Sequence, residues 1–140
     1  MAINTIVFFS ACLFSTDKQK SMKDYDQHML DIKIYHENLG DALLSKNKSE
    51  ATWFVNDMDS IFRIMSTEFT SHRKLKKPFK YHYEKRLAPY MKDLKSAIER
   101  NEWMGSLETY SILTRQCNGC HIDHQVDKKI KDVTIGTVHP

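Results

Sequence analysis

Apolar side chains recur at alternating steps of three and four through most of this 140-residue chain. That spacing is the period of an α-helix with one face turned to a core. Four stretches carry it. The first runs from Thr16 to about Lys46 and shows Met22, Tyr25, Met29, Ile32, His36, Leu39 and Leu43. The second starts at Asn47, ends near His72, and shows Phe54, Met58, Ile61, Met65 and Phe69. A third opens around Pro89, with Leu87, Met91, Leu94 and Ile98 in step. The fourth spans about Glu102 to His124 and carries Trp103, Leu107, Tyr110, Thr114, Cys117 and His121. Helix breakers are scarce, at four glycines and three prolines, which points to an all-α chain. Four amphipathic segments joined by short links are best buried as an antiparallel up-down-up-down four-helix bundle. The length suits one domain.

The boundaries have their own chemistry. Thr16-Asp17-Lys18-Gln19 and Asn47-Lys48-Ser49-Glu50 read as capping boxes, each with a side chain that can accept from an orphan helix N–H. Pro89 suits a first helical turn, where its missing N–H costs nothing. Gly40, inside the first helix, is expected to admit a close neighbour. His72–Tyr83 is a basic connection, and after Gln125 the helical period is lost. The chain therefore divides into a leader over 1–16, a helical domain over 17–125, and a short extended C-terminal tail over 126–140.

The formal charge is +3, from 21 basic and 18 acidic residues. That excess is too small and too scattered for nucleic acid. The basic connection reads first as a solvated loop and second as a docking patch for an acidic partner. Met1–Thr16 carries no charged side chain, and Ile6–Phe14 has the length of a signal-peptide apolar region. No basic residue precedes it, so its start is atypical. Phe9-Ser10-Ala11-Cys12 loosely resembles a lipoprotein cleavage site, so a membrane tether through Cys12 is an alternative to a plain signal peptide. Either way the expectation is export, to a periplasm or its equivalent.

Near the end of the fourth segment stands Cys117-Asn118-Gly119-Cys120-His121. C-x-x-C-H is the attachment sequence of a c-type haem. Two thiols must reach two vinyl groups on one porphyrin edge, and the following imidazole must turn beneath the iron. Cys117 and His121 are four apart on one helical face, with Cys120 beside them. A structural disulfide or a zinc site are the alternatives, although zinc would want a better-spaced fourth ligand than His124. A redox dithiol would want the motif at a helix N-terminus, where the dipole favours a thiolate, and here it sits at the other end.

These residues together resemble the cytochrome c′-like group of four-helix bundles, and more closely a subgroup of small bacterial monohaem cytochromes. The resemblance rests on Met29, Ile32 and His36; on Leu87-Ala88-Pro89; and on Tyr110, Leu113, Thr114, Cys117, Asn118, Cys120 and His121. The final Ile-Gly-Thr-Val-His-Pro is similar to that subgroup's tail. The resemblance implies one covalent haem c, thioethers at Cys117 and Cys120, and His121 as proximal iron ligand. It implies a distal residue in the first helix, for which Met29 is the choice and Met22 and His36 the alternatives. The function expected is single-electron transfer between redox partner proteins, with no enzymatic role. The alternative is a gas-binding protein for nitric oxide or carbon monoxide with an open distal iron. The resemblance also leaves a homodimer open. His28, His72, His82 and His124 read as surface or loop histidines.

Overall fold

A computed structural model describes residues 15–69 and 75–133, with the side chains of the first helix described from residue 24 onward. The leader with Cys12, the Met22 side chain, His72 and residues 134–140 of the tail lie outside the described residues. The described chain is all-helical. Helix α1 is Ser15–Leu44, α2 is Lys48–Glu68, and α3 is the short Phe79–His82. A π turn, Tyr83–Leu87, joins α3 to α4, Ala88–Glu99, and α5 is Trp103–Asp123. Helix α1 packs against α2 and α5, and α4 packs against α2 and α5.

The ends of α1, α4 and α5 share one device. Lys46, Asn101 and Gln125 adopt left-handed φ angles of 55°, 58° and 55°. In each case the next N–H reaches back to a carbonyl in the preceding helix: Asn47 to Ala42, Glu102 to Ala97, Val126 to His121. This Schellman-type closure satisfies carbonyls that the helix leaves orphaned. Asn47 then caps α2, its side chain accepting from the Glu50 N–H at 3.3 Å. Helix α1 already includes Thr16, so the Thr16 box lies within the helix and not ahead of it.

The third segment differs from expectation. Helical backbone begins at Phe79, inside the His72–Tyr83 stretch expected to be a loop and ahead of Pro89. Phe79, Tyr83 and Leu87 stand four apart, and Phe79 and Leu87 are buried. That burial draws the segment into the core. Pro89 cannot donate to the Lys85 carbonyl and its ring crowds that carbonyl. The backbone widens instead, and the Ala88 N–H bonds to Tyr83 O, five residues back. Helix α2 stops at Glu68, short of His72, with the Phe69 side chain buried beyond it.

The core is continuous along the molecule. Tyr25 of α1 stands edge-on to Phe69 and Phe79, at 5.3 and 6.3 Å between ring centres. Asp59 is the buried charge of α2. It accepts from Lys95 Nζ at 2.6 Å, Tyr83 Oη at 2.9 Å and Arg63 Nε at 3.0 Å. Burial opposes ionisation of this carboxyl, but the Lys95 and Tyr83 hydrogen bonds and the Lys95 charge outweigh it and hold its pKa below the usual range. One side chain thereby fixes α2 to the π turn and to α4. Gly40 lets α1 approach Tyr110 and Val133 closely. A Cβ there would fall 2.7 Å from Tyr110 Oη and would overlap Val133.

Candidate functional site

The C-x-x-C-H motif lies in the last two turns of α5. Cys117 is buried, and Cys120 and His121 are half-buried. All three line a cleft that is partly open to solvent. The facing wall is mostly apolar. Helix α1 contributes Met29 and Ile32, α2 contributes Phe62, and Phe79, His82, Arg86 and Leu87 come from α3 and the π turn. Ile130 closes the wall from the tail.

The tail is a strap that runs back along α5. His121 Nδ1 lies 2.7 Å from Lys128 O. A carbonyl only accepts, so the neutral ring carries its proton on Nδ1 and its lone pair on Nε2. Asn118, inside the motif, holds the strap at both of its polar atoms. Its Nδ2 donates to Ile130 O at 2.9 Å, and its Oδ1 accepts from Ile130 N at 2.7 Å. Farther back, Ser111 donates to Asp132. The strap thus acts on the motif's imidazole.

The thiols are neutral at physiological pH. Burial, helped by Cys120 nearby, pushes the Cys117 thiol up to about 12. Burial also raises Cys120, against the pull of Arg86. Neither is held as the thiolate that a redox dithiol needs.

His36 is fully buried and lies outside the cleft. Its Nε2 is 2.8 Å from Thr114 Oγ1, and its Nδ1 is 3.0 Å from Tyr110 Oη. Thr114 in turn donates to Tyr110 O at 2.9 Å, so its oxygen accepts from His36 Nε2–H. Tyr110 Oη–H is then shared between Nδ1 and the His36 carbonyl, 3.1 Å away, and the rings stack at 4.4 Å. Both ring nitrogens are engaged, which leaves neither to bind a metal. Burial lowers the His36 pKa to about 4, against the opposing charge of Asp132. Met29, by contrast, is half-buried and borders the cleft.

Two histidines expected on the surface are buried. His82 and His124 are only 5% and 8% exposed, and their Nε2 atoms approach to 3.1 Å. Neither Nδ1 has a hydrogen-bond partner. One ligand atom from each, with the Cys120 sulfur, falls within 4.8 Å of the others. Reading 72–83 as a charged loop hid His82. The signal was there in Phe79, Tyr83 and Leu87 at steps of four, which puts His82 on an inward-facing side. His28 is half-buried, edge-on to Phe69. Arg86 pairs with Asp123 at 2.7 Å beside the cleft.

Among the described residues no helix is long and apolar enough to cross a membrane. Comparison with protein families, with curated proteins and with solved structures finds no match to this chain.

Proposed function

We propose that this chain is an exported monohaem c-type cytochrome that transfers single electrons, its haem attached through Cys117 and Cys120. The observation that carries the reading is the His121–Lys128 hydrogen bond. Proximal and metal-bound histidines usually donate their other ring N–H to a carbonyl or carboxylate, which fixes the tautomer and leaves Nε2 for the metal. Here that arrangement occurs in the one histidine that C-x-x-C-H reserves for iron, on the wall of an apolar cleft that both cysteines share. The residues present fit the group. Two protonated thiols suit thioether formation, and apolar side chains from three helices suit a porphyrin face.

The antiparallel bundle belongs to the same reading. Tyr25 meets Phe69 while Tyr35 meets Trp53, as two helices of opposite direction require. Asp59 reaches Lys95 while Lys48 reaches the Glu99 carbonyl. His36 meets Thr114, and Met29 lines the cleft with Cys117. When bound, haem supplies the one-electron couple. The chain's own residues would give it apolar walls, hold His121 in one tautomer and offer Met29 from α1. Export and a Cys12 lipid tether remain part of the proposal through the leader alone. The test is production of the full chain alongside a c-type haem attachment system. Haem should survive acid–acetone extraction, and Cys117→Ala or Cys120→Ala should leave single attachment or none. Haem released to the solvent from the unaltered chain sinks the reading.

A further inference from the structure

His82 borders the cleft and His124 lies beyond the last helix, and neither has a role in the proposed haem attachment. They come from α3 and from the residue after α5, some forty positions apart in sequence. Burying two imidazoles against each other is unfavourable unless their polar atoms are used. Only the Nε2 atoms are engaged, with each other, and both Nδ1 atoms are orphaned inside the protein. Their 3.1 Å separation is close to the edge of a tetrahedron around zinc, ~3.3 Å for two Zn–N bonds of ~2.05 Å. The Cys120 sulfur supplies a third donor within 4.8 Å of the ring atoms. Two imidazoles and one thiolate form a borderline-soft set that suits Zn²⁺ and its neighbours, not a hard cation such as Mg²⁺ or Ca²⁺.

We propose that His82, Cys120 and His124 bind a borderline-soft divalent transition-metal cation, of the Zn²⁺ class, in the chain before haem is attached. The two imidazoles coordinate through Nε2. The Cys120 S–H gives its proton to solvent as the sulfur bonds the metal. Three protein ligands leave one position for water. Cys117 and His121 take no part, which separates this site from chelation by the C-x-x-C-H motif itself. The site does not rest on the cytochrome reading. It needs Cys120 as a thiolate, and a thioether at Cys120 ends it, so metal and haem would use the same sulfur in turn.

The test uses the full chain produced without haem, with its thiols reduced, and Co²⁺ and Zn²⁺ as probes. One equivalent of Co²⁺ should give tetrahedral visible bands and a thiolate-to-cobalt charge-transfer band, displaced by Zn²⁺. His82→Gln and His124→Gln should each weaken binding by roughly 100-fold or more. Cys120→Ser should abolish the charge-transfer band, and Cys117→Ser should leave both band and affinity unchanged. Far-ultraviolet circular dichroism matched to the unaltered chain qualifies each variant, and His124→Gln, beyond the last helix, is the one least able to disturb folding. Failure to bind, binding that requires Cys117, or a cobalt spectrum indifferent to both histidines overturns the proposal. So does equal affinity in haem-loaded chain. A chain that binds cobalt as described but never takes covalent haem retires the cytochrome reading and leaves this one standing.

Discussion

His36 Nε2 lies 2.8 Å from the Thr114 hydroxyl, and this contact sets the register of α1 on α5. Around it, the tyrosine donates to Nδ1, Nε2–H donates to the threonine, and the threonine donates to the Tyr110 carbonyl. A half-turn slip of either helix would strand buried polar atoms, at about 1–3 kcal/mol each. The relay is therefore a positioning device for everything farther along the two helices.

It also makes stability depend on pH. Burial keeps His36 neutral, with a folded pKa of about 4 against an ordinary 6.5. A lowered histidine pKa means that the unfolded chain binds the extra proton in that window. The contribution is present in full above 6.5 and is lost as pH falls toward about 4. At ~1.36 kcal/mol per pH unit, the loss is about 3 kcal/mol. Urea unfolding at pH 7, 5.5 and 4 should trace it, and His36→Gln should flatten most of the slope. His82, also lowered by burial with His124 and Arg86 beside it, contributes with the same sign, so His82→Gln is the companion control. Equal stability at pH 7 and 4.5 would contradict the relay.

Asp59 should dominate at lower pH. Its folded pKa is held below the usual carboxylate range, so its contribution is present above the unfolded pKa and lost as pH falls through the folded one. Asp59→Asn should remove this acid-side loss and cost about 1–3 kcal/mol at pH 7. The cost stays moderate because Arg63, and partly Lys95, can turn to water once the carboxylate is gone. A chemical denaturation series from pH 5 to 2 on both proteins measures it.

Gly40 gives a packing test. Alanine there overlaps Val133 and comes within 2.9 Å of the Tyr110 ring. Gly40→Ala should destabilise by about 1–3 kcal/mol, the usual cost of overpacking, despite alanine's better helix propensity. Adding Val133→Ala should restore part of the loss. A gain in melting temperature from Gly40→Ala alone would show that the strap does not press on α1 there.

The helices of this fold were legible because their faces repeat. Tyr25, Ile32, Leu39 and Leu43 in α1, and Leu107, Tyr110, Thr114 and Cys117 in α5, are buried as their spacing requires. Close approach at Gly40 was legible for the same reason, since a lone glycine in a helical stripe has few other uses. The π turn was not, because Pro89 reads as a helix start whether or not helix precedes it. The stops near Lys46 and Gln125 were legible in place but not in form, since they use left-handed backbone without glycine or asparagine. At the cleft, the C-x-x-C-H motif could be read from the sequence and the hydrogen bonds around it could not. Neither the Asn118–Ile130 pair nor the carbonyl on His121 has a sequence signature, because each joins α5 to a tail without period. The burial of His82 and His124 depends on two distant segments meeting, and one of them carried the charge pattern of a loop.

The strap predicts its own effect. Asn118→Ala frees Ile130 at both hydrogen bonds and loosens the carbonyl that orients His121. In the haem-loaded chain this should weaken axial ligation by His121, since loss of such outer support commonly costs 10- to 100-fold in metal affinity. The readout is the fraction of five-coordinate or ligand-exchanged haem as imidazole is added. An Asn118→Ala protein as resistant to imidazole as the unaltered one would remove the strap's role.

The distal position decides between carrier and gas binder. From the His36–Thr114 contact, seven residues back along α1 reach Met29 and seven forward along α5 reach His121. Both steps are two helical turns, ~10 Å, and for helices of opposite direction they lead to the same level. Met29 and His121 accordingly both border the cleft, whereas both ring nitrogens of His36 are already engaged. A thioether on a flexible chain can reach iron from there, favours the reduced state and blocks other ligands. Met29→Ala should therefore convert a largely low-spin protein to high-spin, lower its reduction potential and admit carbon monoxide. Met22→Ala, two further turns from the relay, should leave the spin state alone. If the unaltered protein is already high-spin and Met29→Ala leaves its spectrum unchanged, Met29 is only a core methionine. Electron transfer then loses its main support, and the open iron of a nitric oxide or carbon monoxide binder takes its place.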